Sequence, residues 1–395
     1  LRLTNLRNGV PRMDPRLVVL QPSALCNLNC NYCYVPNRRD PALMTDEVLR
    51  ASADFVFACG ISSGAIAFHW HAGEPTAAGL EFYEHAFALL AGRAPAGIRV
   101  HHAIQTNGTL LTRKWCELFC RYQVEVGLSI DGPAEIHDRN RVTWTGKGTH
   151  AAVMAGYGIL RQNGITPGAI CVLAPESLRS PDQIYDFFKN TGFQSLAFNV
   201  EESEGVHPRS RLRDAAHEDM VSAYASFMRR FWQRWRADGS VMEIREFKQM
   251  LGCLHNLRAD DGFVRELDEV IPFRILSIRR NGDVSTFSPE LASTPGAGHG
   301  HFVLGNVLTD TPAQLAASAA FARLNEEVVA GRELCRQSCE HYALCGAGFQ
   351  SNRFTEHGTF RAAETLTCRL HRKTLANVLI EELIMESNAA SRQIS

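Results

Sequence analysis

The sequence lacks any long apolar run: no window approaches the ~18 uninterrupted apolar residues of a membrane-spanning helix, so no membrane-embedded protein is expected. It also lacks an excess of either charge. Lys and Arg number 41 against 42 Asp and Glu, a formal net charge of −1, so no overall field draws the chain to nucleic acid or an anionic membrane. Internal repeats and low-complexity tracts are missing too. Hydrophobic residues at 45% and charged residues at 21% exclude a disordered or coiled-coil chain. The stretch Leu1 to Arg16 carries four arginines and has no apolar core of about 7 to 15 residues such as a secretion signal needs. A secreted disulfide framework is therefore not expected, and the reading is a cytoplasmic protein with reduced thiols.

Against these absences stand 12 cysteines in 395 residues. The length suits two or three domains, or one large α/β unit with an appendage. Apolar runs at Leu17 to Leu20, Ala65 to Trp70, Ile98 to Gln105, Val124 to Ile130, Ala169 to Leu173 and Ser195 to Val200 read as strands. Helical stretches separate them: Thr45 to Cys59, Ala77 to Leu90, Thr112 to Tyr122, Thr149 to Asn163 and Pro181 to Lys189. Strands alternating with helices predict βαβ units on a parallel sheet, here an open α/β sheet or partial barrel. After Val200 the pattern changes. Helices are expected over Ala215 to Arg236 and Met242 to His255, then a hairpin over Phe273 to Phe287 turning at Asn281-Gly282, a dipeptide suited to a type I′ turn. A Gly- and His-rich loop (Ser293 to His301) and a helix over Pro312 to Ala330 follow. The chain thus divides into an N-terminal segment 1–16, a core 17–205, a helical bridge 206–270, an extension 271–385 and a tail 386–395.

Cys26, Cys30 and Cys33 form C-x3-C-x2-C directly after the first strand. A [4Fe-4S] cluster takes four ligands, so three thiolates leave one iron open to a cofactor or substrate. The alternative is zinc completed by a histidine.

The order of elements and motifs resembles the radical S-adenosylmethionine (SAM) superfamily over most of the chain: PSALCNLNCNYCY, with Tyr32 before the third cysteine, then Ala72-Gly73-Glu74-Pro75 after the second strand. The resemblance implies an α/β fold with a partial (β/α)6 barrel core. The Gly-Gly-Glu-Pro stretch of that family meets the amino group of SAM; Ala72 replaces its first Gly, adding one methyl. Gln105-Thr106-Asn107-Gly108 and Leu128-Ser129-Ile130-Asp131-Gly132-Pro133 end later strands, where ligands of parallel sheets gather. By the same resemblance Ser129 bonds the ribose or carboxylate of SAM, Arg141 pairs with the carboxylate and Leu173 packs on the adenine. Gln105, Asn107 and Asp131 belong to the same expected cofactor site.

Cys335, Cys339, Cys345 and Cys368 form a second group, C-x3-C-x5-C-x22-C, which alone suits zinc or iron and sulfur. It resembles the C-terminal SPASM extension of radical SAM peptide maturases, where four such cysteines hold a second auxiliary [4Fe-4S] cluster. A complete extension holds a first auxiliary cluster as well, with a cysteine just after the hairpin and another four residues past the third cysteine of the run. Ser288 lies near the former place and Phe349 at the latter, so that first site should be empty. The expected cofactors are two [4Fe-4S] clusters and SAM. Of the other cysteines, Cys59, Cys171 and Cys253 read as buried small hydrophobes, as do Cys116 and Cys120, which share a helix face.

Within the superfamily, the motifs WHAGEP, LSIDGP with HDRNR, TFSPEL, CGAG and ETLTC most resemble the GRRM-type maturases, which join an aromatic ring carbon to a β-carbon two residues along a ribosomal precursor peptide. Restoring aromaticity needs loss of a proton and an electron. Glu290, Asp283 and Glu74 are the candidate bases, and Glu290 lies nearest the family's base position. The expected partners are a precursor peptide and an electron donor such as flavodoxin or ferredoxin, with no nucleic acid and no membrane. The alternatives are formylglycine formation as in anaerobic sulfatase maturases, thioether formation or epimerisation; a zinc-binding scaffold or nucleic-acid-binding protein is the alternative from another class. His69 and His71, at alternate positions of a strand, read as structural residues able to face the cavity.

Overall fold

In the computed structural model the residues described are 6–7, 10–11, 13–207, 209–214, 217–260, 262–294 and 302–394. Six parallel strands form the centre of the molecule: β1 (Leu17–Gln21), β2 (Ala65–Trp70), β3 (Arg99–Thr106), β4 (Glu125–Ser129), β5 (Gly168–Leu173) and β6 (Ser195–Val200). They lie side by side in sequence order, each paired in parallel with the next. Their two faces differ. In β2, Ile66, Phe68 and Trp70 are buried against the outer helices, whereas Ala65, Ala67 and His69 are half-buried on the concave side. A helix crosses over between neighbouring strands because parallel pairing forbids a tight turn.

The helices begin where the sequence supplies donors and acceptors for their ends. Thr45 accepts a hydrogen bond from the backbone N–H of Val48 and starts Asp46–Phe57, with Asp46 and Glu47 complementing the positive end of the helix. Val48, Leu49, Ala53, Phe55 and Val56 then fall on its buried face. The helix expected over Pro312 to Ala330 is two helices, Pro312–Ala316 and Ala319–Ser338. Ser318 causes the break: its side chain accepts from Phe321 N–H and caps a new helix.

The extension is built onto the core sheet. Strand β7 (Glu243–Ile244) pairs with the far edge at β6; β8 (Ile275–Arg279) pairs in parallel with β1, and β9 (Asp283–Thr286) and β10 (Gly305–Asn306) follow, giving ten strands in one sheet. The hairpin turn is not type I′. Three residues connect β8 and β9, the Gly282 N–H donates to the Arg279 carbonyl, and Gly282 alone, at φ 87°, takes the left-handed conformation, the geometry of a type I turn with a glycine bulge. Most of the loop expected over Ser293 to His301 lies outside the described residues. Positions 386–395, read as a tail, are helical to Ile394 as the end of Leu375–Ile394. Among the described residues no helix is long and apolar enough to cross a membrane.

Candidate active site

The loop after β1 carries the first three cysteines and is held by backbone bonds. Cys26 N–H donates to the Arg38 carbonyl, Asn29 N–H to Val142 and Asn31 N–H to Asn140, and the Trp144 indole donates to the Cys26 carbonyl at 3.0 Å. All three cysteines line one wall of a cavity of about 1100 Å³, mouth included, at the carboxyl ends of the strands. Burial pushes the free thiols of Cys26 and Cys30 up to about 12 and about 11. As thiolates they need a cation to stay there, and no fourth cysteine lines the cavity.

Around these thiols stand most of the residues singled out in the sequence. Tyr32, Gly73, Glu74, Gln105, Asn107, Ser129 and Arg141 all line the same cavity. Gln105 donates to the Ser129 hydroxyl at 2.9 Å, and Asn107 donates to Asn27 of the cysteine loop at 2.9 Å. Arg141 pairs with Asp131 at 3.1 Å and lies 5.4 Å from the Tyr32 ring centre, while the Tyr32 hydroxyl donates to Asp131 at 2.5 Å. The Arg141 Nε is buried and has no partner among the described residues. An anionic group in the cavity would satisfy it, and a SAM carboxylate has the right chemistry.

Five residues behave differently from expectation. Asp131 lies behind the cavity wall and holds Arg141 and Tyr32. Leu173, expected to pack on the adenine, is buried in the core with no exposure, and Val172 and Ile170 of the same strand line the cavity instead. Ala72, at φ 74°, faces a separate cleft beside Gln21 and Arg280, although Gly73 after it is indispensable: a Cβ there would lie 2.4 Å from the Leu25 carbonyl oxygen. Glu74 lines the cavity, but its carboxylate accepts from Thr76 N–H and hydroxyl, the Thr106 hydroxyl and Asn107 N–H. It is thereby committed to holding the loop and is no free base. Asp283 turns into the hairpin, accepting from Asn281 and Asn306.

His71 lines the cavity and His69 packs beside it at 5.8 Å between ring centres; burial lowers them to about 3 and about 4, so both are neutral at pH 7. Cys116 and Cys120 bond separate carbonyls of the neighbouring helix, at Ile159 and Asn163. Cys120 is exposed, unlike the buried Cys59, Cys171 and Cys253.

The extension's cysteines converge. The thiols of Cys345 and Cys368 share a hydrogen bond, which holds Cys345 down to about 5 and pushes Cys368 up, and Cys335 interacts electrostatically with both Cys339 and Cys345. Arg353 donates to the Cys335 sulfur at 3.0 Å, and the Lys373 cation acts on Cys339 and Cys368. Four converging thiols beside two cations are a donor set that fits an anionic cluster. Among the described residues no three His, Cys, Asp or Glu side chains are spaced to hold one metal ion; a [4Fe-4S] cluster takes each thiolate at a different iron.

Part of the wall of the cavity that the first cysteines line is acidic. Glu290 reaches it from the extension, and Glu202 and Glu204 reach it from the loop after β6. Burial, then the mutual repulsion of these carboxylates, raises Glu202 to about 8 and Glu204 above the ordinary range; burial and Glu269 raise Glu290 to about 7. Ser288 and Phe349 lie together, bridged by Glu269, which accepts from the Phe349 N–H and from the Ser288 hydroxyl at 3.5 Å. Sequence reasoning missed Glu202, Glu204 and Glu269. One signal was available for the first two, since Glu201-Glu202-Ser203-Glu204 directly follows a parallel strand, where ligand-facing groups collect.

Residues 20–188 match the model of the Radical SAM superfamily. The chain is 39% identical to an uncharacterized protein of Synechocystis sp., over 93% of this chain and 92% of that protein. It is 31% identical to a serine-type anaerobic sulfatase-maturating enzyme of Klebsiella aerogenes over 64% of this chain, spanning 65% of the length of that enzyme. Among solved structures, one described as native anSMEcpe with bound AdoMet and Cp18Cys peptide superposes with a TM-score of 0.76, covering 95% of this chain and 100% of that chain at 23% identity. That likeness shows a shared fold.

Proposed function

The chain belongs to the radical SAM superfamily, and from that premise we propose that it is a peptide maturase that joins a side-chain β-carbon to an aromatic ring of the same peptide. The observation that carries the reading is a carboxyl in the cavity that the three cysteines line: Glu290, from the extension, borders the space in which the reacting peptide would lie. A peptide occupant has support in the maturating enzymes this chain resembles, one of which is described with a bound peptide.

Cross-linking removes two hydrogens, one as an atom from the β-carbon and one from the ring as a proton plus an electron. Cys26, Cys30 and Cys33 would hold an open cluster that with bound SAM would supply radical hydrogen-abstraction chemistry, and Cys335, Cys339, Cys345 and Cys368 would hold a cluster able to accept the electron. The chain itself binds and orients. Arg141, fixed by Asp131 and Tyr32, holds an anionic group of the cofactor, and Ser129 with Gln105 offers hydroxyl and amide contacts to it. Glu290, raised to about 7, accepts the ring proton near neutral pH.

Formylglycine formation is the second reading, favoured by the likeness to sulfatase-maturating enzymes. Against it stands the carboxylate of Glu269 between Ser288 and Phe349, where a complete extension holds its first cluster. Anaerobic reconstitution should give about eight irons per chain. Turnover of the precursor encoded beside the gene should yield a product two hydrogens lighter, with a ring located by tandem fragmentation. An aldehyde captured by hydrazine would instead establish formylglycine. Substituting Ala at Cys26, Cys30 and Cys33 should abolish 5′-deoxyadenosine formation, whereas Cys345→Ala should retain some of it and make no cross-link; equal loss in both variants contradicts the separate roles.

A further inference from the structure

Behind the acidic wall lies a second chamber, of about 860 Å³ with its mouth, which shares Asn199, Glu202, Glu204 and Glu290 with the cofactor cavity. Five glutamates line it against three arginines. Glu202, Glu204 and Glu290 make no ion pair among the described residues; Glu202 has the Thr367 hydroxyl at 2.9 Å and Glu204 the Asn352 amide at 3.5 Å, both neutral donors. Buried carboxylates without a cation are costly and either bind protons or bind a positive ligand. The chamber's own cations, Arg245, Arg265 and Arg372, form no ion pair with these three carboxyls among the described residues, and Arg372 acts on Glu269 instead. Arg245 pairs with Glu246 and bonds Asn199, Arg265 bonds Gln249, and Arg372 lies 4.9 Å from the Phe349 ring centre.

An independent sign of a polar occupant comes from His371. It lines the chamber and is only 6% exposed, and its Nδ1 is engaged by the Tyr224 hydroxyl at 2.9 Å. Its Nε2 is buried and has no partner among the described residues. A buried imidazole nitrogen is rarely left unbonded without a ligand or solvent to meet it. We propose that this chamber is a specificity subsite that takes a cationic side chain, Arg or Lys, of the peptide substrate, held by Glu202 and Glu204 and reached through the wall shared with the cofactor cavity. The shared wall puts such a side chain within a few residues of the reacting position. This rests on the reading of a peptide as the substrate, and on nothing in the bond that is formed.

The test uses three probes with the reconstituted, SAM-loaded enzyme under anaerobic conditions: acetyl-Phe-Gly-Arg amide, its citrulline isostere and its Glu counterpart, each titrated calorimetrically at pH 7. The Arg peptide should bind at least about tenfold more tightly than the citrulline peptide, the loss typical of removing one charge from a partly desolvated pair. Glu202→Gln should erase that preference. Equal or undetectable binding of the Arg and citrulline peptides overturns the proposal, as does tighter binding of the Glu peptide, which would assign the chamber to its guanidinium side. The comparison of Arg with citrulline needs only the unaltered protein, so a poorly folding variant does not decide it. Cross-linking of the precursor without any Arg preference defeats the subsite and spares the maturase reading; an Arg preference without a lighter product does the reverse.

Discussion

At the scale of single residues, Asp131 follows a strand and Leu173 ends one that the pattern located, but side-chain direction was not legible. In a parallel sheet covered on both faces, apolar residues occupy both, so alternation in Gly168–Leu173 could not say whether Val172 or Leu173 meets the cavity. Glu74 looked like a free acid because the four donors that surround it come from Thr76, Thr106 and Asn107, two of them over 30 residues away. Asp131 acts through others: with Arg141 it forms an ion pair in which both side chains are almost fully buried. Asp131→Asn leaves the guanidinium buried without its counter-charge. Breaking one partner of such a pair costs about 3–5 kcal/mol. Urea unfolding of the reconstituted protein should show that loss, and SAM affinity should fall as Arg141 loses its fixed direction. Unchanged SAM binding would mean that Arg141 does not hold the cofactor.

At the scale of elements, the six core strands and the helices between them were legible because their apolar residues repeat with the period of the element. What failed were features decided by a single polar residue or by distant contacts. The run from Pro312 looked continuous since nothing in its period changes at Ser318, yet that hydroxyl bonds Phe321 N–H and starts a second helix. Ser318→Ala should cost about 1 kcal/mol of global stability, read as a lower urea midpoint with an unchanged slope. The hairpin turn was misassigned because Asn-Gly suits two turn geometries, and the third loop residue, Arg280, belongs to the connection. Its guanidinium pairs with Asp40 of the segment after the cysteine loop. The helix Leu375–Ile394 had a readable signal, with Leu375, Ala376, Val378 and Leu379 buried on one face, but its neighbours in space, such as the helix His217–Ala237, are more than 100 residues away.

At the scale of the whole molecule, the sequence divides into core, bridge and extension, whereas the structure joins them through one ten-stranded sheet and one acidic wall. The convergence of Glu202, Glu204, Glu269 and Glu290 from three separate stretches is a product of that joining, and no local pattern encodes it. It has a consequence for stability. The native carboxyls of Glu202 and Glu290 titrate near about 8 and about 7, well above the roughly 4.3 of an unfolded glutamate. Between those limits the native state binds more protons than the unfolded chain, so stability falls as pH rises. The contribution is complete below about pH 4, is lost as pH climbs through 7 to 8, and changes no further above that range. Urea midpoints of the reconstituted protein should therefore drop between pH 6 and pH 8.5. Glu202→Gln, which cannot ionise, should flatten that slope and leave the protein more stable than the parent at pH 8.5. A cation seated on the same wall would do likewise, so an Arg-containing peptide should protect more at pH 8.5 than at pH 6. A parent whose midpoint rises over this interval would show that these carboxyls are ionised throughout, and so already neutralised by a charge within the fold.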